Sequence, residues 1–287
     1  MEIRVVFVSQ APIPEELVAQ VPGSGARKDL EGGYGHAVSI MCDHADPTGL
    51  RNRLRKASGD VSVAVITGPL ATQPAKLVLC DVDSTFTSTE GVDMLAEYVG
   101  REEEVAAITQ QAMHGHLEFA ESLRMRVAAI KGVPTSAFEA VGERMALSPG
   151  AEELVAAARA AGAKVGLTSG GFTQLVAPLA ERNGLDYFSA NQLGTEILDG
   201  VEVLNGQVVG KVVDRAQKER DLEEFADTFG VELPLAVTIG DGANDLDMLA
   251  AAGLGVAYCA KPATEEGADV SLRFARLDAV IPLAFDR

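Results

Sequence analysis

A chain of 287 residues exceeds what one average core needs, so one large α/β unit with a smaller companion is expected. Hydrophobic residues make up 47% and charged residues 23%, a globular balance that excludes a long disordered chain. The 24 Lys+Arg against 42 Asp+Glu leave a net charge of -18, which repels a polyanionic backbone and excludes nucleic acid as a natural partner. Residues 1–75 are nearly neutral, so the acidic excess falls later, where either a solvated surface or a bound cation would accommodate it.

Cys42, Cys80 and Cys259 lie far apart without a C-x-x-C, which fits neither a disulfide framework nor a zinc site. Reduced thiols are expected, with Cys80 inert inside an apolar strand. The opening MEIRVVFVSQ has neither a basic leader nor a long apolar core, and no run of roughly 18 apolar residues follows. A soluble cytoplasmic protein that does not enter a membrane is the expectation.

In chain order, the first 70 residues predict a strand (Ile3 to Val8), a helix (Pro14 to Gln20) and a glycine-interrupted strand pair ending at Ala37 to Met41. A helix (Pro47 to Ala57) and a strand (Val61 to Thr67) complete a βαββαβ order. That order resembles the small ACT-like domains of ferredoxin-like topology, used either for regulation by amino acids or for dimerisation. The proline-containing stretch from Gly68 to Ala75 marks a boundary, giving residues 1–74 and 75–287 as the two units.

Beyond it, apolar strands at Leu77 to Cys80, Lys164 to Thr168, Leu235 to Ile239 and Gly255 to Tyr258 alternate with helices. They predict a doubly wound, mostly parallel Rossmann-like sheet. A helical insert at about 91–147 is too long for an ordinary connection and reads as a cap. Ser148 and Pro149 read as the N-cap and first turn of the helix that brings the chain back.

Three strand ends carry the chemistry. The first runs into Asp81-Val82-Asp83-Ser84-Thr85, two carboxylates whose mutual repulsion a divalent cation would relieve. The second ends in Ser169-Gly170-Gly171-Phe172, where glycines let backbone N–H groups approach an anion ahead of a helix starting near Thr173. The third ends in Gly240-Asp241-Gly242-Ala243-Asn244-Asp245. Alone, D-x-D is usually a solvated loop and S-G-G more often a tight turn; together the three mark a ligand site at the carboxyl edge of an open sheet. Lys218 follows Asp214-Arg-Ala-Gln217, a helix start, where a cation opposes the helix dipole at a cost of a few tenths of a kcal/mol. In the cap, Phe119, Leu123, Arg126 and Ile130 share one helical stripe, whereas Arg124 points away. An inward Arg126 needs an anion, either a cap acid or a substrate carboxylate. His114 and His116 read as surface histidines.

The set DVDST, SGGF, an upstream lysine and GDGAND, in this order, resembles the haloacid-dehalogenase-like (HAD) phosphatases, and within them the phosphoserine phosphatases. The resemblance runs from about Lys76 to the end. It implies magnesium-dependent hydrolysis of phosphoserine to serine and phosphate, the last step of serine biosynthesis. Asp81 is then the nucleophile that becomes aspartyl-phosphate and Asp83 the acid and base. It further implies Asp81, Asp241 and the Asp83 carbonyl as Mg2+ ligands, with Asp245 behind them and Asn244 supporting the site. Ser169, the Gly170 amide and Lys218 fall on the phosphoryl oxygens. For the serine part it implies Arg126 at the carboxylate, Glu90 at the ammonium, and Met113 and Phe119 along the apolar side. Another small phosphomonoester, transfer to an alcohol, or a non-catalytic amino-acid sensor are the competing readings. Residues 1–70 are expected to mediate a homodimer or serine feedback, with turnover surviving their deletion.

Overall fold

The computed structural model describes residues 1–23, 25–113 and 117–286. Near the start stand β1 (Glu2–Ser9), α1 (Glu15–Val18), β2 (Arg27–Gly32), β3 (Gly35–Asp43), α2 (Pro47–Ala57) and β4 (Ser62–Ile66). The four strands pair antiparallel in the order β2-β3-β1-β4, the ferredoxin-like arrangement that the βαββαβ pattern implied. Helix α2 begins where Asp46 accepts the Gly49 N–H at 2.9 Å and Pro47 occupies the first turn.

Both faces of β1 are apolar, and alternation sends them into different cores. Ile3, Val5 and Phe7 pack on Leu50 and Leu54 of α2, while Val6 and Val8, with Ala37, Ala64 and Ile66, join the core of the larger sheet. Arg4 lies on that second face, 2% exposed, and donates to the carbonyls of Leu70 at 2.9 Å, Pro282 at 3.0 Å and Leu283 at 2.7 Å. The two sheets therefore share packing and buried hydrogen bonds, so cutting the chain at residue 74 would leave apolar surface open and the Pro282 and Leu283 carbonyls without their donor. Survival of turnover in such a truncation, as the sequence suggested, does not follow from this seam.

The larger unit runs β5 (Leu77–Asp81), α3 (Gly91–Ala96), α4 (Glu102–Met113), α5 (Phe119–Ala129), α6 (Ala137–Arg144), α7 (Ala151–Ala160), β6 (Lys164–Phe172) and α8 (Thr173–Arg182). It continues with β7 (Tyr187–Leu198), β8 (Val201–Val209), α9 (Arg215–Phe229), β9 (Ala236–Gly240), α10 (Leu246–Ala251), β10 (Leu254–Tyr258), α11 (Pro262–Gly267), β11 (Val270–Leu272) and α12 (Ile281–Phe285). Its sheet has the order β11-β10-β9-β5-β6-β7-β8, parallel throughout except for β8. The chain leaves β5 toward β6 on one side and returns as β9 on the other, which opens a crevice at the carboxyl end of β5. Helices α3 to α6 form the cap. Its two linkers run side by side, with the Ser88 N–H donating to the Ala146 carbonyl and the Ser148 N–H to the Phe86 carbonyl, both at 2.9 Å.

Two local readings change. Ser148 spends its backbone on that neck, and α7 starts later, behind Gly150 at φ +86°, where a Cβ would stand 2.3 Å from Asp278 Oδ1. The β7–β8 hairpin was not predicted, although Asp199 at φ +50° and Gly200 at φ +80° make the two-residue turn that an Asp-Gly pair favours. Among the described residues no helix is long and apolar enough to cross a membrane.

Candidate active site

Asp81 closes β5 at the crevice and is 5% exposed. Its Oδ1 accepts the Val82 N–H at 2.8 Å and the Lys218 ammonium at 2.7 Å. Lys218 is fully buried in the first turn of α9, whose N-cap Asp214 accepts the Gln217 N–H at 2.9 Å. The same ammonium donates to Asp245 Oδ1 at 2.6 Å, and Asp245 Oδ2 accepts the Gly242 N–H at 2.9 Å. Carboxylate oxygens of Asp81, Asp241 and Asp245 all lie within 4.8 Å of one another.

Three acids thus face one ammonium. Burial, then repulsion by Asp245, pushes the Asp81 carboxyl well above the usual carboxylate range, against the pull of Lys218. Burial and Asp245 also raise Asp241, to about 6. For Lys218 burial works against the charge, but Asp245 and Asp81 outweigh it and raise its pKa. A hard divalent cation fits this deficit of positive charge. Among the described residues both hydrogen bonds to the Asp81 carboxylate land on Oδ1, leaving Oδ2 for a metal, and the Asp241 carboxylate has one side-chain contact, from the Thr85 hydroxyl at 3.4 Å. Asp245, with one oxygen on Lys218 and the other on Gly242, is fitted to brace rather than to ligate.

Asp83 lies two residues beyond Asp81, in the turn that follows β5. Its Oδ1 accepts the Gly91 N–H at 2.9 Å, and the Ser169 hydroxyl lies 3.5 Å from Oδ2. Burial and the Glu90 charge raise its carboxyl to about 7, against the Gly91 N–H, Lys218 and Arg126, so it carries a proton for much of the time at neutral pH. Between the two acids and α3 the chain turns tightly through Ser84, a non-glycine residue at φ +59°. The Ser84 hydroxyl donates to Glu90 Oε1 at 2.7 Å.

On β6 the pairing with β7 shifts between Thr168 and Phe172, so Ser169, Gly170 and Gly171 bulge from the ladder just before α8. A side chain would crowd its neighbours at both glycines. A Cβ on Gly171 would stand 2.8 Å from Asp83 Oδ2, and one on Gly170 2.8 Å from the ring of Phe119. That second contact brings the cap down onto the bulge. The stripe on α5 faces inward, with Leu123 and Ile130 buried and Phe119 and Arg126 half-buried, whereas Arg124 is exposed. Arg126 Nε is buried without a hydrogen-bond partner, and among the described residues no carboxylate forms an ion pair with this guanidinium. Burial lowers its pKa, opposed by the charges of Glu90, Asp83 and Asp93.

Asn244 lies half-buried in the turn after β9, its Oδ1 only 2.2 Å from where a Gly242 Cβ would be. Met113 ends α4, but its side chain, like His114 and His116, lies outside the described residues. Sequence reasoning missed Thr85, Asn191 and Asp221. The first was legible as a hydroxyl two residues past Asp83; nothing local to the other two announced that they would be buried beside the crevice.

Residues 78–250 match the family described as haloacid dehalogenase-like hydrolase. This chain belongs to that family. A phosphoserine phosphatase of Mycobacterium tuberculosis is 46% identical over 78% of this chain and 54% of its own length, so the chain spans about half of that relative. A phosphoserine phosphatase of Streptococcus thermophilus is 46% identical over 65% of this chain and 85% of its own length. The crystal structure of a HAD family hydrolase from Salmonella enterica superposes with a TM-score of 0.85 at 28% identity, covering 100% of this chain and 99% of that one. In this HAD hydrolase the small sheet is therefore part of an architecture shared over the whole chain.

Proposed function

We propose that this chain hydrolyses L-phosphoserine to L-serine and phosphate through a phosphorylated Asp81. The observation that carries the reading is Arg126, a cap guanidinium whose Nε is buried without a partner and which forms no carboxylate ion pair among the described residues, within electrostatic reach of Glu90 and Asp83. A free amino acid offers the matching charges, a carboxylate for Arg126 and an ammonium for Glu90, while its phosphate reaches the sheet end. The same substrate class is named for the mycobacterial and streptococcal relatives.

In this reading an Asp81 oxygen attacks phosphorus, and the serine Oγ leaves with the proton held by Asp83. Asp83, now ionised, takes a proton from a water whose oxygen attacks the phosphoryl group on Asp81, which releases phosphate and restores both acids. Ser169, the Gly170 amide, Lys218 and Asn244 hold the phosphoryl oxygens, and Phe119 and Met113 line the apolar side. A Mg2+ held by Asp81, Asp241 and the Asp83 carbonyl, with Asp245 behind, would neutralise phosphoryl charge and keep Asp81 ionised. Residues 75–287, with the cap at 91–147, form the phosphatase unit, and residues 1–74 the non-catalytic one.

Phosphate release from phosphoserine, phosphothreonine, phosphoethanolamine and an aryl phosphate tests this, with magnesium, with EDTA and in Asp81→Asn. Metal-dependent release, strongest on phosphoserine and absent in Asp81→Asn, is expected. Cleavage of the aryl phosphate alone would keep the chemistry and remove the substrate; added alcohol capturing the phosphoryl group would make the chain a transferase.

A further inference from the structure

The bulge that frees Ser169 and Gly170 to face a phosphoryl group also takes their backbone out of the β6–β7 ladder. Something else must hold it, because a loop of small residues gives a precise anion cradle only if fixed from behind. Two fully buried side chains do so. Asn191, opposite the bulge on β7, donates through Nδ2 to the Gly170 carbonyl at 2.8 Å and accepts the Val213 N–H through Oδ1 at 2.8 Å. Asp221, on α9 one turn beyond Lys218, accepts the Thr168 hydroxyl at 2.8 Å, the Gln217 amide at 2.8 Å and the Lys211 ammonium at 3.2 Å.

These bonds flank Ser169 on both sides, at Thr168 and at Gly170, and both run to the segment from Lys211 to Gln217 that delivers Lys218. Neither side chain has a hydrogen bond to Asp81, Asp83 or Asp241 among the described residues. We infer that Asn191 and Asp221 are positioning residues, a two-point brace that sets the distance between the Ser169–Gly170 donors and the Lys218 ammonium. The inference rests on the phosphatase reading and adds to it. One half of the phosphoryl cradle is then registered against the other through polar side chains, where the sheet ladder is interrupted.

A brace acts on the phosphoryl end, so its loss affects every phosphomonoester alike. The test compares Thr168→Val with Thr238→Val, the same near-isosteric change at fully buried threonines on neighbouring parts of the sheet. Among the described residues the Thr238 hydroxyl donates to the Met248 carbonyl of α10, at 3.1 Å, and to no residue of the bulge or of the Lys211–Lys218 segment. Asn191→Ser is the stronger variant, and Thr168→Val the milder one, since Asp221 Oδ1 retains its Gln217 and Lys211 partners. Each is measured for kcat and KM on phosphoserine and on an aryl phosphate, for inhibition by inorganic phosphate, and for melting temperature. Thr168→Val and Asn191→Ser should lower kcat by about 10- to 100-fold on both substrates and weaken inhibition by phosphate, with Thr238→Val within twofold of the parent. Equal losses in Thr168→Val and Thr238→Val, or kcat and phosphate inhibition unchanged in Thr168→Val, overturn the brace. An unsubstituted protein that cleaves only the aryl phosphate removes the substrate assignment and leaves this test intact.

Discussion

The two sheets each bury a cation, and they treat it in opposite ways. In the antiparallel sheet Arg4 meets three backbone carbonyls and, at 3.5 Å, Asp286. Its charge is met mainly by backbone carbonyls that cannot titrate, with Asp286 at the edge of the set. At the carboxyl edge of the parallel sheet Lys218, delivered by α9, meets two carboxylates beside a third, a cluster short of positive charge by construction. The difference teaches where to look for chemistry: a completed set of partners marks structure, an incomplete one marks a site.

The sharpest way to break this contrast is to remove each cation. Lys218→Met should cut kcat by about 1000-fold and also cost about 3 kcal/mol of stability, because two buried carboxylates lose their counter-charge. Phosphate release and chemical denaturation measure the two effects. Asp83→Asn should follow, at about 100-fold or more on phosphoserine and distinctly less on an aryl phosphate, whose phenolate leaves with little need of a proton. Equal losses on both substrates would remove Asp83 as the acid. Arg4→Leu should cost about 3 kcal/mol in denaturation while kcat at 25 °C stays within about twofold, since the groups left unpaired, three carbonyls and Asp286, all lie at the seam. A kcat that fell with the stability would join the two regions functionally as well as structurally.

Smaller changes sharpen the picture. Gly170→Ala should lower kcat/KM by about tenfold by pushing the Phe119 ring off the bulge, and Phe119→Leu in the same protein should return part of it. At the seam, burial alone would raise Asp286, yet hydrogen bonds from Lys28 and Ser39 and the charge of Arg4 hold it below the usual range. A lowered carboxyl stabilises the fold above its unfolded pKa and stops doing so as pH falls through the folded value. Asp286→Asn should therefore cost at most about 1 kcal/mol at pH 7, and denaturation series should show the deficit fading in acid below about pH 4.

Much of this was legible in the residues because motifs at strand ends are local. Asp81, Ser169 and Asp241 each follow a short apolar run, so their place at the carboxyl edge of a sheet could be read from pattern alone. Helix α2 matched its predicted bounds because Asp46, Pro47 and the apolar spacing all agree. The β7–β8 hairpin escaped despite its Asp-Gly turn, as did the start of α7, where Ser148 looked like a cap but was claimed by the neck of the insert.

The sequence by itself determined the βαββαβ order near the start, the four strands β5, β6, β9 and β10, the acids and lysine gathered at their ends, and the inward stripe on α5, because these depend on periodicity and on neighbours within a few residues. Tertiary structure decided what those groups do to one another. It buried Lys218 between Asp81 and Asp245, raised Asp83 to about 7, lowered Phe119 onto Gly170, and placed Asn191 and Asp221 behind the bulge. Such effects arise from desolvation and from contacts between distant segments, which no local pattern encodes. The seam at Arg4 belongs to the same class, since one arginine near the start found its partners only when the last helix folded against it.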